Sequence, residues 1–351
     1  MLFLYIILVL FSLICKRSKF LFYTDLILLL LLFACNIDNA DRGVYEMRFY
    51  RYDDEMRVRM TEPLFTFIMY VFNYLELELQ SFIIFVAATF VLVIGLLIKK
   101  VTTFGCFVLA FYMLTEFFFD VVQLRNTLAL IFYYPGLYIL FMEPKTSKAI
   151  CIYIICVIFS ALIHFSSLFF LLFIFVRVCS IKKCLLITVC FIFISVVFVN
   201  LLSNYMEMFL FSEKIEQVQE GSEMQSTATI LFQRLRILFF ETIPFMVIYL
   251  YRKKRLKEDR FIVGIFKICI LLWCVSPMLF ISMEFHRIFF TQVILLMMGY
   301  ARMMEKKRIK ASVIYIFAFV SISFFTYNMY LNNKELQKTV ITPVLEKNSL
   351  F

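Results

Sequence analysis

Residues 81–100 read SFIIFVAATFVLVIGLLIKK, eighteen uncharged residues closed by Lys99 and Lys100. A run of about 18 or more apolar residues spans a bilayer as a helix. Lipid offers no partner to a free backbone N–H or C=O, so only helices and closed barrels cross it. The hydrophobicity here is continuous, which excludes the alternating strands of a barrel. The two lysines mark the cytoplasmic end, since short cytoplasmic connectors collect Lys and Arg.

Outward from this run, comparable stretches lie near 1–15, 20–35, 103–119, 127–142, 149–163, 166–180, 184–201, 235–251, 261–282, 288–301 and 312–330. Of the 351 residues, 63% are hydrophobic and 17% charged, far more apolar than a soluble chain of this length. The sequence predicts an all-α polytopic integral membrane protein of about twelve transmembrane helices, 1–351 forming one membrane domain. Two larger extracytoplasmic loops are expected, 36–80 with an interface helix and 202–230.

Alternate threading puts 14 of the 19 lysines in the connectors of one face. That face is the cytoplasm, which places both termini outside. The net charge of +10 then reflects topology and anionic headgroups, and the connectors are too short for a nucleic-acid module. Met1 to Cys15 lacks a basic n-region and is followed by Lys16, Arg17 and Lys19, the order of a retained first span. The ten cysteines form no C-x-x-C pair and read as small apolar fillers.

With seven glycines there is neither G-x-x-x-x-G-K-[ST] nor G-x-G-x-x-G, so ATP and dinucleotides have no visible site. Two histidines without clustered thiols or H-E-x-x-H give no zinc site, and neither metal nor cofactor is expected.

The opposite face collects arginines, acids and both histidines. The loop 36–61 holds five arginines, four aspartates, two glutamates and no lysine, a composition that orientation alone does not require. Arg125, Arg234, Arg236 and Arg287 stand at the outer mouths of three spans. A guanidinium pairs bidentately with phosphate and stays charged near lipid, so these residues either converge on a phosphate-rich headgroup or snorkel individually. Arg125 lies in a short turn with Gln123. His164 sits at a hairpin apex in ALIHFS, either as a hydrogen bond between helices or as a proton acceptor for a sugar hydroxyl. Glu62 precedes Pro63 at a helix start and either favours that helix's positive end or acts in a site. Asp41 and Tyr45 share a helix face and suit a sugar, with salt-bridged loop packing as the alternative.

These signatures fall in order: DRGVY at 41–45, EPLF at 62–65, LRNTLA at 124–129, IHFS at 163–166 and Arg287. The set resembles the EpsG family of Wzy-type polysaccharide polymerases, with its outer D-x-x-x-Y, E-x-G-F-like helix start, I-R-Q-x-[IL]-A turn, F-H-x-S hairpin and late arginine. Asn126 replaces the usual glutamine, and the arginine often found before D-x-x-x-Y is absent, with Asn36 and Asn39 in that region.

The resemblance implies polymerisation of undecaprenyl-pyrophosphate-linked oligosaccharide repeat units at the outer face of the bacterial cytoplasmic membrane, beside a flippase and a chain-length regulator. On it, Arg125 and Arg287 take the carrier pyrophosphate and His164 the proton. Asp41, Tyr45, Glu62, Gln123 and Arg234 contact or position substrate. Two rivals stay open, a flippase and an O-antigen-ligase-like glycosyltransferase. A flippase calls for charges deep in several spans, where the sequence offers Lys267 as the clear example.

Overall fold

A computed structural model describes residues 2–50, 62–209, 227–280, 285, 287–306 and 309–348. Among these the chain is helical and forms no strand; one isolated bridge joins Asn36 to Asn348. The first half builds α1 (Leu2–Ile14), α2 (Lys19–Ala34), α3 (Arg42–Tyr50), α4 (Pro63–Tyr74), α5 (Leu79–Val101), α6 (Gly105–Met113), α7 (Phe117–Val122), α8 (Leu124–Met142) and α9 (Thr146–Ile163). A 3-10 segment, Phe165–Ile174, leads into α10 (Phe175–Val178). The second half holds α11 (Ile181–Phe209), α12 (Thr227–Leu256), α13 (Arg260–Leu271), α14 (Arg287–Phe290), α15 (Val293–Glu305) and α16 (Ala311–Tyr327), followed by short turns to Glu346.

Five stretches among the described residues are long and apolar enough to cross a membrane: Leu79–Val101, Thr146–Ile163, Arg260–Leu279, Arg287–Glu305 and Ala311–Asn332. Of the other apolar runs, 127–142, 184–201 and 235–251 lie within α8, α11 and α12, while 103–119 and 166–180 are interrupted. The run 103–119 breaks between Met113 and Phe117, where the Thr115 hydroxyl donates to the carbonyls of Phe111 and Tyr112 at 2.8 and 3.4 Å. Such back-bonding competes with the helix ladder. The run 261–282 turns into a 3-10 segment, Leu272–Phe280, that contains Pro277. Of the two expected loops, 36–80 contains α3 and α4, while 202–209 and 227–230 are helical; residues 51–61 and 210–226 lie outside the described part.

A broken helix inside an apolar core leaves carbonyls that must find donors. Buried tyrosines supply several of them. Tyr5 donates to Met113 O at 2.7 Å where α6 ends, Tyr153 to Phe170 O at 2.7 Å in the 3-10 segment, and Tyr134 to Thr291 O at 2.9 Å between α14 and α15. Each ring fills core volume while its hydroxyl closes an open backbone group. Lys267 donates to the carbonyls of Val176 and Cys179 at 2.8 and 2.6 Å, closing the end of α10.

The hairpin of α8 and α9 carries two site residues at one end, so its closeness sets their spacing. Ser160 on α9 donates to Ala129 O on α8 at 3.0 Å, and Gly136 lets the backbones approach. A methyl at Gly136 would stand 2.6 Å from Cys156 Cβ, which is too near. Gly136→Ala should therefore lower the thermal unfolding midpoint in detergent, a destabilisation of about 1–3 kcal/mol. Gly43→Ala, where the added methyl meets nothing within 4 Å, should leave the midpoint or raise it.

Candidate functional site

Glu62 caps α4 by position only. Pro63 occupies the first helical turn, but the Glu62 carboxylate makes no cap hydrogen bond to its own helix. It turns instead to three cationic or ring groups from other segments. Oε2 lies 2.6 Å from Arg125 Nη1 and 3.6 Å from Arg48 Nη1, and Oε1 lies 2.9 Å from His164 Nδ1. Arg48 comes from α3, Arg125 from the second residue of α8, and His164 from the C-cap of α9 in extended backbone. Helix α3 and the two open ends of the α8–α9 hairpin thus meet on one carboxylate at the start of α4, 12% exposed.

Tyr45 stands one turn before Arg48 on α3, and both point inward with Phe49. Its ring lies 6.1 Å from that of Phe65. Burial raises the Tyr45 hydroxyl above its ordinary value against the opposing pull of Arg125, which keeps it protonated beside the guanidinium. Asp41 is close enough to act on Tyr45 in the same direction, and its carbonyl accepts the Tyr45 N–H at 3.1 Å as α3 begins.

Burial alone would raise the Glu62 carboxyl, but the hydrogen bond to His164 and the charge of Arg125 outweigh it and pull it down to about 2. Arg125 shows the counterpart: burial disfavours its charge, and Tyr45 and Glu62 more than restore it. Glu62 therefore remains an anion at every physiological pH and does not itself exchange protons. Two guanidiniums, Arg125 and Arg48, thus face the Glu62 carboxylate. With Nδ1 engaged by Glu62, the His164 ring atom left for a ligand is Nε2.

Arg287 and Gln123 belong to a neighbouring constellation. They line a cavity of about 10 Å³, room for one water, together with Glu116, Asp120, Asn126 and Thr291. Arg287 Nε is buried without a hydrogen-bond partner among the described residues, as are both carboxylate oxygens of Glu116. Asp120 accepts from Tyr112 at 2.7 Å. Glu241 on α12 lies near enough to Glu116 to act on it electrostatically.

The sequence expectation thus resolves into two groups. Glu62, Arg125, His164 and Tyr45 come together, with Asp41 beside Tyr45; Arg287 and Gln123 sit at the second cavity. The side chain of Arg234, His286, Glu284 and the loop arginines 51, 57 and 59 lie outside the described part. Lys267 is not the principal deep charge. Asp25, Glu116, Asp120 and Glu241 are all buried, Asp25 receiving a hydrogen bond from Ser12 at 2.7 Å. Sequence reasoning gave Arg48 no role, although its spacing of three from Tyr45 places both on one helix face.

Fold and site together define an all-helical membrane protein in which Arg48, Arg125 and His164 gather on the Glu62 carboxylate at one set of helix ends. The chain belongs to the EpsG family, whose sequence model matches residues 19–341. No curated protein and no solved structure matches it significantly.

The depressed carboxyl gives a pH signature. A group whose folded value falls from 4.5 to about 2 adds stability that is complete above pH 4.5 and is lost as pH falls toward 2. Acid unfolding in detergent should cost the wild type up to about 3 kcal/mol more across that window than Glu62→Gln, which retains the losses shared with other carboxylates such as Asp259. Parallel profiles for the two proteins would contradict an ionised, clamped Glu62.

Proposed function

We propose that this chain is a Wzy-like polymerase. It joins undecaprenyl-pyrophosphate-linked oligosaccharide repeat units into surface polysaccharide at the outer face of the cytoplasmic membrane, with both termini on that face and about twelve crossings. The observation that carries the reading is the buried carboxylate of Glu62 shared by Arg125, Arg48 and His164. Family membership supports a polymerase-type role for it.

In this reading a hydroxyl of one repeat unit attacks the anomeric carbon of another. The new bond joins that carbon to the hydroxyl oxygen. The bond from the anomeric carbon to the pyrophosphate oxygen breaks, and its electron pair leaves with the lipid pyrophosphate. His164 Nε2 takes the hydroxyl proton, with Glu62 holding the ring through Nδ1 as a carboxylate orients a catalytic imidazole. Arg125 and Arg48 face the anion from one side. Arg287, whose Nε lacks a partner among the described residues, takes the leaving pyrophosphate from the neighbouring cavity. Asp41, Tyr45, Gln123 and Arg234 position sugar or carrier. No nucleotide is required, because the pyrophosphate is already a leaving group. A flippase and a chain-length regulator are the expected partner proteins.

The buried carboxylates Glu116, Asp120 and Glu241 favour a second reading, a flippase for the same lipid-linked saccharide, since ionisable groups inside a membrane commonly mark transport paths. A ligase-like transferase shares the donor chemistry and differs in acceptor.

Deleting the gene in its host and locating the lipid-linked intermediates separates these readings. Single repeat units on the outer face, with long polymer lost, support the polymerase. Units trapped on the cytoplasmic face mean a flippase, and finished polymer still on its lipid means a ligase. Complementation with Arg125→Ala should yield no polymer at an unchanged protein level; full polymer would remove Arg125 from the site. His164→Gln should lower polymer synthesis about 10²–10⁴-fold. Near-normal synthesis would leave His164 a structural link between α4 and α9.

A further inference from the structure

At the lysine-rich end of the bundle, opposite in kind to the Glu62 site, a cavity of about 560 Å³ is lined by five cations: Lys16, Arg17, Arg252, Arg255 and Lys310. They come from three places far apart in sequence. Lys16 and Arg17 form the turn between α1 and α2, Arg252 and Arg255 lie near the end of α12, and Lys310 precedes α16. No carboxylate lines the cavity, and none of the five forms an ion pair among the described residues. Two acids at the same end are engaged elsewhere. Asp259 holds Arg302 at 2.8 Å and also Lys306, and Glu305 accepts from the Thr103 hydroxyl at 2.9 Å.

The cations rest on aromatic rings. The Arg17 guanidinium lies 4.3 Å over Phe104, Lys16 Nζ 5.6 Å from Phe104 and 5.4 Å from Tyr315, and the Arg252 guanidinium 4.6 Å over Tyr251. Such stacking fixes a cation without neutralising it. At Arg252 the helix leaves helical geometry, with φ −112° and ψ 15°, and Nε is buried without a hydrogen-bond partner among the described residues. Charges that serve topology alone need only face water; these converge on one space and include a buried donor with nothing to donate to.

The flanks of the cavity select among anions. Phe11 and Ile14 on α1, Leu250 and Tyr251 on α12 and Ile316 on α16 are exposed, Ile14 and Tyr251 at 76% each. The apolar outer faces of these helices therefore run up to the level of the cations. A soluble anion uses only the cations, whereas a phospholipid uses both, its acyl chains along the exposed rows and its phosphate in the cavity.

We propose that this cavity binds the phosphate headgroup of an anionic phospholipid from the leaflet at the lysine-rich end. The lipid ties the α1–α2 turn to the bend of α12 and the start of α16. The proposal rests on the membrane fold and is independent of the polymerase reading.

The test is native mass spectrometry of the full chain in detergent. The probes are phosphatidylglycerol, phosphatidylcholine with the same acyl chains, and inorganic pyrophosphate. Phosphatidylglycerol should remain bound at least roughly tenfold more than phosphatidylcholine, as expected for two or more headgroup charge contacts. Arg252→Gln with Arg255→Gln should weaken it roughly fivefold per charge removed. Arg17→Gln with Lys310→Gln, both at exposed positions, should do the same. Lys99→Gln with Lys100→Gln, exposed at the same end but outside the cavity, should leave binding unchanged. Equal loss in the Lys99/Lys100 pair would overturn the site in favour of diffuse surface charge. Equal retention of the two lipids would overturn headgroup recognition, and pyrophosphate bound as tightly as phosphatidylglycerol would make the ligand a soluble anion.

Discussion

A carboxylate removed from water keeps its charge only when cations and hydrogen-bonding groups surround it, and Glu62 has two guanidiniums and the His164 ring. The requirement works in both directions. Two guanidiniums brought that close together in a poorly hydrated place repel one another unless an anion lies between them. Glu62 therefore holds α3, the start of α4, the start of α8 and the end of α9 in one arrangement. The same carboxylate fixes the His164 ring, so charge balance and ring orientation depend on a single residue.

Around the site, the bundle is made from interrupted helices, and interruption is what supplies polar geometry inside an apolar chain. Each break frees carbonyls and re-aims side chains. Tyr5, Tyr134 and Tyr153 absorb the freed carbonyls, so that the breaks persist in the core. The break between α6 and α7 presents Glu116 and Asp120, and the one before α15 presents Arg287 and Thr291, to the same small cavity. The two polar groups flank the start of α8, where Gln123 and Asn126 face one of them and Arg125 the other.

Much of this was legible in residue order. The charge-free run 81–98 ending on Lys99 fixed the helical membrane class, and Pro63 marked the start of α4 where it lies. The pairing of Arg125 with His164 through Glu62 was not, since spacings of 63 and 102 residues carry no periodic signal. Their common membership rested on the order of short motifs. Helix breaks stayed hidden for a different reason. Hydropathy registers apolar side chains, whereas the break after Met113 depends on Thr115 back-bonding and on a hydroxyl from Tyr5, 108 residues away. Glu116 and Glu241 were visible as charges within apolar runs, yet only the folded structure brings them near enough to act on one another. Arg287 was grouped with Arg125 because both lie at outer helix mouths, and the structure places them in two different groups.

The most direct measurement is reconstitution of the purified chain in liposomes with a synthetic undecaprenyl-pyrophosphate-linked repeat unit, no nucleotide and no other protein. Released undecaprenyl pyrophosphate and new glycosidic bonds are counted in the same sample. The account predicts one carrier released per bond formed, with the product growing beyond a single unit. Transfer of intact lipid-linked units between leaflets with no carrier released would contradict it.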